Sequence, residues 1–228
     1  MPITAHATLY LAAIGLAFGL IGGQAFPARA VTPADEPAVE PADEPTDGAE
    51  PAIDGFRTAR FGMDESAVRR AIFADFGRAG AAVGRQRNDL EQTTVLALQV
   101  DELVPGSGPA AISYVLGQGG SLIQVTILWG LTEDPSVTAA DLNATAGLLI
   151  AYFTGQGHVS VSGEEPVVFV DGSNLLFYAR DPEGSGLALS ALPRRDPAAP
   201  AGAPPFLRLA YSTDLDNPDV FRTPAITP

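Results

Sequence analysis

The chain reads as an α+β protein: two similar helix-plus-antiparallel-sheet units, about αβββ each, packed as one body. Three observations predict it. Helical stretches with capping residues occur at 61–77 and 138–157, each followed by short runs rich in β-formers. Gly-rich turns of hairpin type join those runs. Related segments also recur at a nearly constant spacing. "AIFADFGRAG" (71–80) and "LLIAYFTGQG" (148–157) align with Phe76 opposite Phe153, 77 residues on, and "GSG" at 106–108 returns at 184–186, 78 residues on. The period is much longer than that of a solenoid and occurs only twice, which fits a duplicated α/β unit.

In the first helix, Asp64 is placed to cap the N-terminus and Glu65 falls in the first turn. Val68, Ile72 and Phe76 are spaced four apart, Phe73 widens the stripe, and Gly77 ends it. In the second, Thr138 caps and Asp141 falls in the first turn. Leu142, Leu149, Ile150 and Phe153 make the apolar face, and Gly155 ends it. The first unit then has strands at 93–100, 111–117 and 121–130, the last two joined by "GQGG". Along the last one Ile123, Val125, Ile127 and Trp129 share a face, with Gln124 and Thr126 on the other. The second unit has "VVFV" (167–170) and "LLFYAR" (175–180) around the turn "DGSN", then "GLALSAL" (186–192) and "FLRLAYST" (206–213). A long Pro- and Ala-rich loop, 193–205, separates the last two. Either unit alone buries too little surface to be more than marginal, so the two are expected to pack together.

The folded part is expected at 55–134 and 135–222, with a tail at 223–228. Residues 1–30 read as a signal peptide: an uncharged apolar run at 9–26 precedes Ala28 and Ala30, an A-x-A pattern that places cleavage after Ala30. The alternative is an uncleaved anchor through 9–26. Residues 31–54 form an acidic, Pro-rich spacer with Pro33, Pro37, Pro41 and Pro45 in register. It has too little apolar surface to fold and is expected to be disordered. The protein is therefore expected to be periplasmic or secreted, and to meet the membrane only through the N-terminal segment if that is retained.

Composition excludes several chemistries. The chain of 228 residues has no Cys, so disulfides, thiolate metal sites and a cysteine nucleophile are ruled out. All 13 basic residues are Arg, which removes Schiff-base, P-loop and Ser–Lys lysine chemistry. The net charge of −14, with no basic patch, argues against nucleic acid.

The candidates for chemistry are few. His158 is the one His after the signal segment. It lies near Glu164, Glu165, Ser160 and Ser162, but in a Gly-rich connector without a nucleophile-elbow pattern; a structural role is expected. Asp214, Asp216 and Asp219 in "STDLDNPD" bring oxygen ligands together, but the spacing departs from a calcium loop at Pro218 and Asp219, and a turn is expected. The carboxylates of "DEL" (101–103) and "EDP" (133–135) read as turn residues. Arg69, Arg70, Arg194 and Arg195 are expected to be solvated or bonded to acids, and Trp129 and Tyr114 to fill the core. No catalytic, cofactor-binding or metal residue is assigned, and no cofactor is expected.

The segment "FRTARFGMDESAVRRAIFADF" (56–76) resembles one found in uncharacterised exported proteobacterial proteins, which implies an envelope location and no known activity. The order of one helix and three strands is similar to BamE-like and beta-lactamase-inhibitor-like envelope domains. That resemblance implies protein binding without catalysis and carries over no binding residue. The expected function is an exported, non-enzymatic protein-interaction module of the bacterial cell envelope, its partner another envelope or secreted protein. The alternatives are a carboxylate- or Ca/Mg-dependent hydrolase and an inhibitor of a secreted enzyme, the latter using the 193–205 loop.

Overall fold

The computed structural model describes residues 51–77, 82–130, 137–160, 167–169, 172–194, 205–214 and 219–220. The signal segment, most of the spacer, Glu164, Glu165, Arg195, Asp216, the "EDP" turn and nearly all of the 193–205 loop lie outside them.

The fold is α+β. A short hairpin, β1 (Gly55–Phe56) and β2 (Ala59–Arg60), leads into helix α1 (Glu65–Phe76). Four strands follow: β3 (Gly84–Asn88), β4 (Thr93–Val100), β5 (Ala110–Leu116) and β6 (Leu122–Trp129). Helix α2 (Ala139–Gly155) then precedes β7 (Val167–Val168), β8 (Asn174–Arg180), β9 (Gly186–Leu192) and β10 (Phe206–Ser212). Strands β3 to β10 form one eight-stranded antiparallel sheet in the order β3-β4-β5-β6-β10-β9-β8-β7.

The helices begin where their caps require. The Asp64 carboxylate accepts from the Ala67 N–H at 2.7 Å, and Gly77 closes α1 in the left-handed region at φ 62°. Thr138 and Asp141 form a reciprocal capping box on α2. Hydrogen bonds from Thr138 hold the Asp141 carboxyl below the usual carboxylate range. At the other end α2 runs through Gly155 to a cap at Gln156.

Both helices cover the same side of the sheet. Val68, Ala71 and Ile72 of α1 and Leu142, Ala146 and Phe153 of α2 belong to one buried cluster. Leu96, Ile112, Tyr114, Ile127, Trp129 and Leu209 supply it from the strands. Trp129 and Tyr114 are fully buried, as expected. Alternation holds along β6, with Val125, Ile127 and Trp129 buried and Gln124 and Thr126 partly exposed.

Several expectations need correction. Each helix is followed by four strands, not three; in the first half the added one is β3, "GRQRN". Its side chains are mostly exposed, so it carries no apolar alternation to betray it. The eight strands are also one continuous sheet rather than two packed ones. Phe73 does not widen the α1 stripe; it is 57% exposed. Phe76 and Phe153 have different surroundings. Phe76, the last residue of α1, is partly buried under the Arg57 guanidinium, whereas Phe153 is buried and stacked on Phe177. Finally, the body starts before residue 55: Ile53 is buried, and its N–H donates to the Asp181 carboxylate at 2.9 Å.

Glu65 ties α1 to the sheet edge. It bonds Arg69 one turn on at 2.9 Å and Arg85 of β3 at 3.2 Å. Partial burial pushes its pKa up, but the two guanidinium groups outweigh that and hold it below the usual carboxylate range. A lowered folded-state pKa contributes stability above the unfolded value, and that contribution disappears as pH falls through the folded value. Glu65→Gln should therefore destabilise the protein at neutral pH. In urea titrations its deficit against wild type should shrink to nothing as the pH drops through the carboxylate range; a deficit that stays constant would refute this account. The buried Tyr114 hydroxyl has no hydrogen-bond partner among the described residues. Tyr114→Phe should leave stability unchanged or raise it by up to about 1 kcal/mol, because the lost hydroxyl had only a desolvation cost. A clear loss on urea unfolding would show that the hydroxyl is partnered.

Candidate functional site

A groove of about 960 Å³ opens on the helix-bearing side of the sheet. Its floor is the centre of the sheet, with Ile127 and Trp129 from β6, Leu187 from β9, and Leu209 and Tyr211 from β10. One wall is α2, through Leu148, Leu149, Tyr152 and Phe153. The other is the incoming chain 51–57 with Arg60, and the 103–105 loop also contributes.

The floor is apolar because it is the seam between the two halves of the sheet. There β10 pairs with β6, setting Leu207 against Trp129, Leu209 against Ile127 and Tyr211 against Val125. The aromatic end is built by Phe153, which stacks on Phe177 at 5.8 Å and meets Tyr211 edge-on at 6.3 Å. Phe56 also packs against Tyr211 at 5.6 Å. On the α2 wall, Leu148 and Tyr152 are one turn apart and remain 54% and 59% exposed.

Among the polar groups on the groove, Arg57 makes no ion pair and the Trp129 indole no hydrogen bond with the described residues. Arg57 occupies the first position of the two-residue β1–β2 turn in the left-handed region, φ 55°. Such a turn favours Gly or Asn there, so an Arg is held at some conformational cost. The hairpin is fastened to α1: the Thr58 hydroxyl donates to the Asp75 carboxylate at 2.9 Å, and the Thr58 N–H donates to it at 3.2 Å. That places the Arg57 guanidinium 4.9 Å from the Phe76 ring centre and 5.8 Å from that of Phe56. No carboxylate pairs with it among the described residues. Arg60 beside it is neutralised by Asp54 at 3.1 Å and also donates to the Arg57 carbonyl. Burial, with a small contribution from Tyr152, pushes the Tyr211 hydroxyl well above the usual tyrosine range, so it stays protonated. The Trp129 indole N–H has no hydrogen-bond partner among the described residues.

The residues singled out in the sequence are scattered. His158 lines the groove edge-on to Phe153, and its backbone N–H closes the α2 terminus on the Phe153 carbonyl at 3.0 Å. Asp219 serves the β5–β6 hairpin: its carboxylate accepts from the Gly119 N–H at 2.9 Å and its carbonyl from the Gln118 N–H at 3.2 Å. Asp214 is exposed at the end of β10, and no group of three potential metal ligands occurs among the described residues. Glu102 is a turn carboxylate, accepting from the Gly106 N–H at 2.8 Å. Arg69 bonds Glu65. Arg194 lies over the Phe206 ring at 4.3 Å and donates to the Gly130 carbonyl. Among the described residues no helix is long and apolar enough to cross a membrane.

Sequence reasoning did not find Arg57. Its signal was local: an Arg in "DGFRTARF", between two aromatic residues at a turn. The groove could not be found at all, because its lining comes from six separate stretches of the chain.

No protein-family model, curated protein or solved structure matches this chain.

Asp219 gives a sharp test of the hairpin. A methyl group at Gly117 would lie 2.6 Å from the Asp219 carbonyl oxygen, so something must move. Gly117→Ala should lower the melting temperature and release Asp219, costing roughly 1–3 kcal/mol. Millimolar Ca²⁺ should raise the melting temperature of neither form. A Ca²⁺-dependent rise in wild type that is lost in Gly117→Ala would return Asp219 to metal binding.

Proposed function

We propose that the protein is an exported, non-enzymatic interaction module of the bacterial cell envelope that works by taking apolar surface into the groove. The observation that carries this reading is the groove itself. Its floor is made of buried Ile127, Trp129, Leu187 and Leu209 with partly buried Tyr211, and its volume is at the top of the roughly 300–1,000 Å³ range of ligand sites. Burial keeps the Tyr211 hydroxyl protonated at physiological pH, and a guanidinium stays charged in proteins. Tyr211 and Arg57 donate hydrogen bonds and stabilise acceptors, but neither is a base.

The sheet edges support the groove over strand addition. One edge, β3, carries Arg85 and Arg87, and the other, β7, is two residues long. Both are the kinds of edge that resist pairing with another chain. Export rests on the N-terminal segment and the acidic spacer described from the sequence.

The same proposal takes the fold as one helix-plus-four-strand unit used twice. The sheet order supports it, reading helix-first strands inward from each edge to β6 and β10 at the centre. So do the inward-facing pairs Val68 and Leu142, Ala71 and Thr145, and Ile72 and Ala146, each 74 residues apart. That spacing follows the helix caps and replaces the alignment of Phe76 with Phe153.

A photo-crosslinking residue placed at Leu148 or Tyr152 in the native host should give a product identifiable by mass. The same residue at Phe73, equally exposed but outside the groove, should not. Equal products from all three positions, or none from the groove positions, would refute the proposal.

A further inference from the structure

We propose that the groove binds a single-chain fatty carboxylate, its aliphatic chain lying on the sheet seam and its carboxylate held at the mouth by Arg57. This rests on the groove being the working site and names its occupant.

The apolar part of the argument is desolvation. Most of the lining is aliphatic or aromatic, and its polar side chains come mainly from the incoming chain with Arg60 and from the end of α2. An extended peptide would bring an N–H and a C=O into the groove with every residue, and each would need a partner there. An aliphatic chain brings none, and its transfer from water is favourable along its whole length.

The polar part is charge. The chain has 27 acids against 13 bases, and among the described residues Arg57, like the exposed Arg70 of α1, has no carboxylate partner; unlike Arg70, Arg57 lines the groove. Neighbouring guanidinium groups are paired: Arg60 with Asp54, and Arg69 and Arg85 with Glu65. Arg57 is instead held between two aromatic rings, fastened through Thr58 and Asp75, in a backbone conformation that an Arg adopts only at some cost. Its guanidinium has a fork of N–H groups matched to a carboxylate. Phe56 connects it to Tyr211, whose ring lies on the groove floor. One cation at the mouth of an acidic body suits one negative charge; a polyanionic headgroup would meet net repulsion.

The test uses the full chain and a fluorescent fatty-acid analogue displaced by dodecanoate, with Trp129 emission as a second readout, since Trp129 is the single Trp. Dodecanoate should displace the analogue at one site per chain and alter Trp129 emission. Arg57→Gln should weaken dodecanoate by about tenfold, as expected for loss of one charge-assisted contact. Arg57→Lys should recover most of that affinity. Dodecan-1-ol should bind wild type more weakly than dodecanoate and should not distinguish wild type from Arg57→Gln. Circular dichroism and melting curves establish that each variant is folded. Equal affinities for acid and alcohol, or no effect of Arg57→Gln, would overturn the assignment of Arg57 and with it the inference. Displacement by an apolar peptide but not by dodecanoate would overturn the inference and leave the groove as a protein-binding site. If neither analogue, alcohol nor peptide binds, the proposed function falls with it.

Discussion

The pairing of β6 with β10 is the constraint on which the rest of the structure depends. Six residue pairs, from Leu207 with Trp129 to Ser212 with Gln124, join the two halves into one sheet. Each half alone would leave this strand as a long, largely apolar edge, a template for pairing with another chain. Joining them removes both such edges at once and moves the free edges outward to Arg-bearing β3 and two-residue β7. It also puts the largest buried side chain, Trp129, at the middle of the molecule rather than at a margin. Register matters here as much as pairing. A shift of one residue would turn Val125, Ile127 and Trp129 to the opposite face and destroy the core on which both helices rest.

The groove follows from how that seam is covered. Helices of 12 and 17 residues are short against a sheet of eight strands. The chain before β1 and the β1–β2 hairpin help to enclose the space beside α2. They are held by directional bonds as well as by packing. Asp181, itself buried, accepts from the Ile53 N–H with one carboxylate oxygen and from the Ser185 N–H with the other. Thr58 and Asp75 fix the hairpin to α1. A buried carboxylate that satisfies two backbone donors offsets its own desolvation, and through it the turn at 181–185 positions the incoming chain. The same bonds that complete the groove wall thus position Arg57.

What the sequence made legible were the elements whose periodicity matches their burial. Both helices, their caps at Asp64 and Thr138, the 117–120 hairpin and the alternation along β6 are of this kind, because each is set by neighbours within a few residues. β3 was illegible because an exposed edge strand has no apolar alternation. Phe73 misled because an aromatic residue in a helix is counted as core until its direction from the axis is known. Phe76 and Phe153 misled for a related reason: α2 is five residues longer than α1, so alignment from the helix ends gives a different register from alignment at the caps. The groove was beyond reach, since it is defined by the distance between segments. Of the candidate residues, Trp129 and His158 lie on it, and the His158 backbone serves the end of α2.

Two of the groove's donors, Arg57 and Tyr211, suit the proposed binding role rather than proton transfer. Proton transfer needs a group whose pKa lies near the working pH. Tyr211 is driven the wrong way by burial, toward a hydroxyl that holds its proton ever more firmly, and a guanidinium does not lose its proton in proteins. Both groups therefore present fixed donors to whatever enters. Fixed donors beside an apolar floor orient an acceptor without activating it, and they do so most strongly when water has been displaced and the effective dielectric is low. In the proposed function the apolar surface supplies the free energy of capture, and the donors select which end of the ligand stays at the mouth.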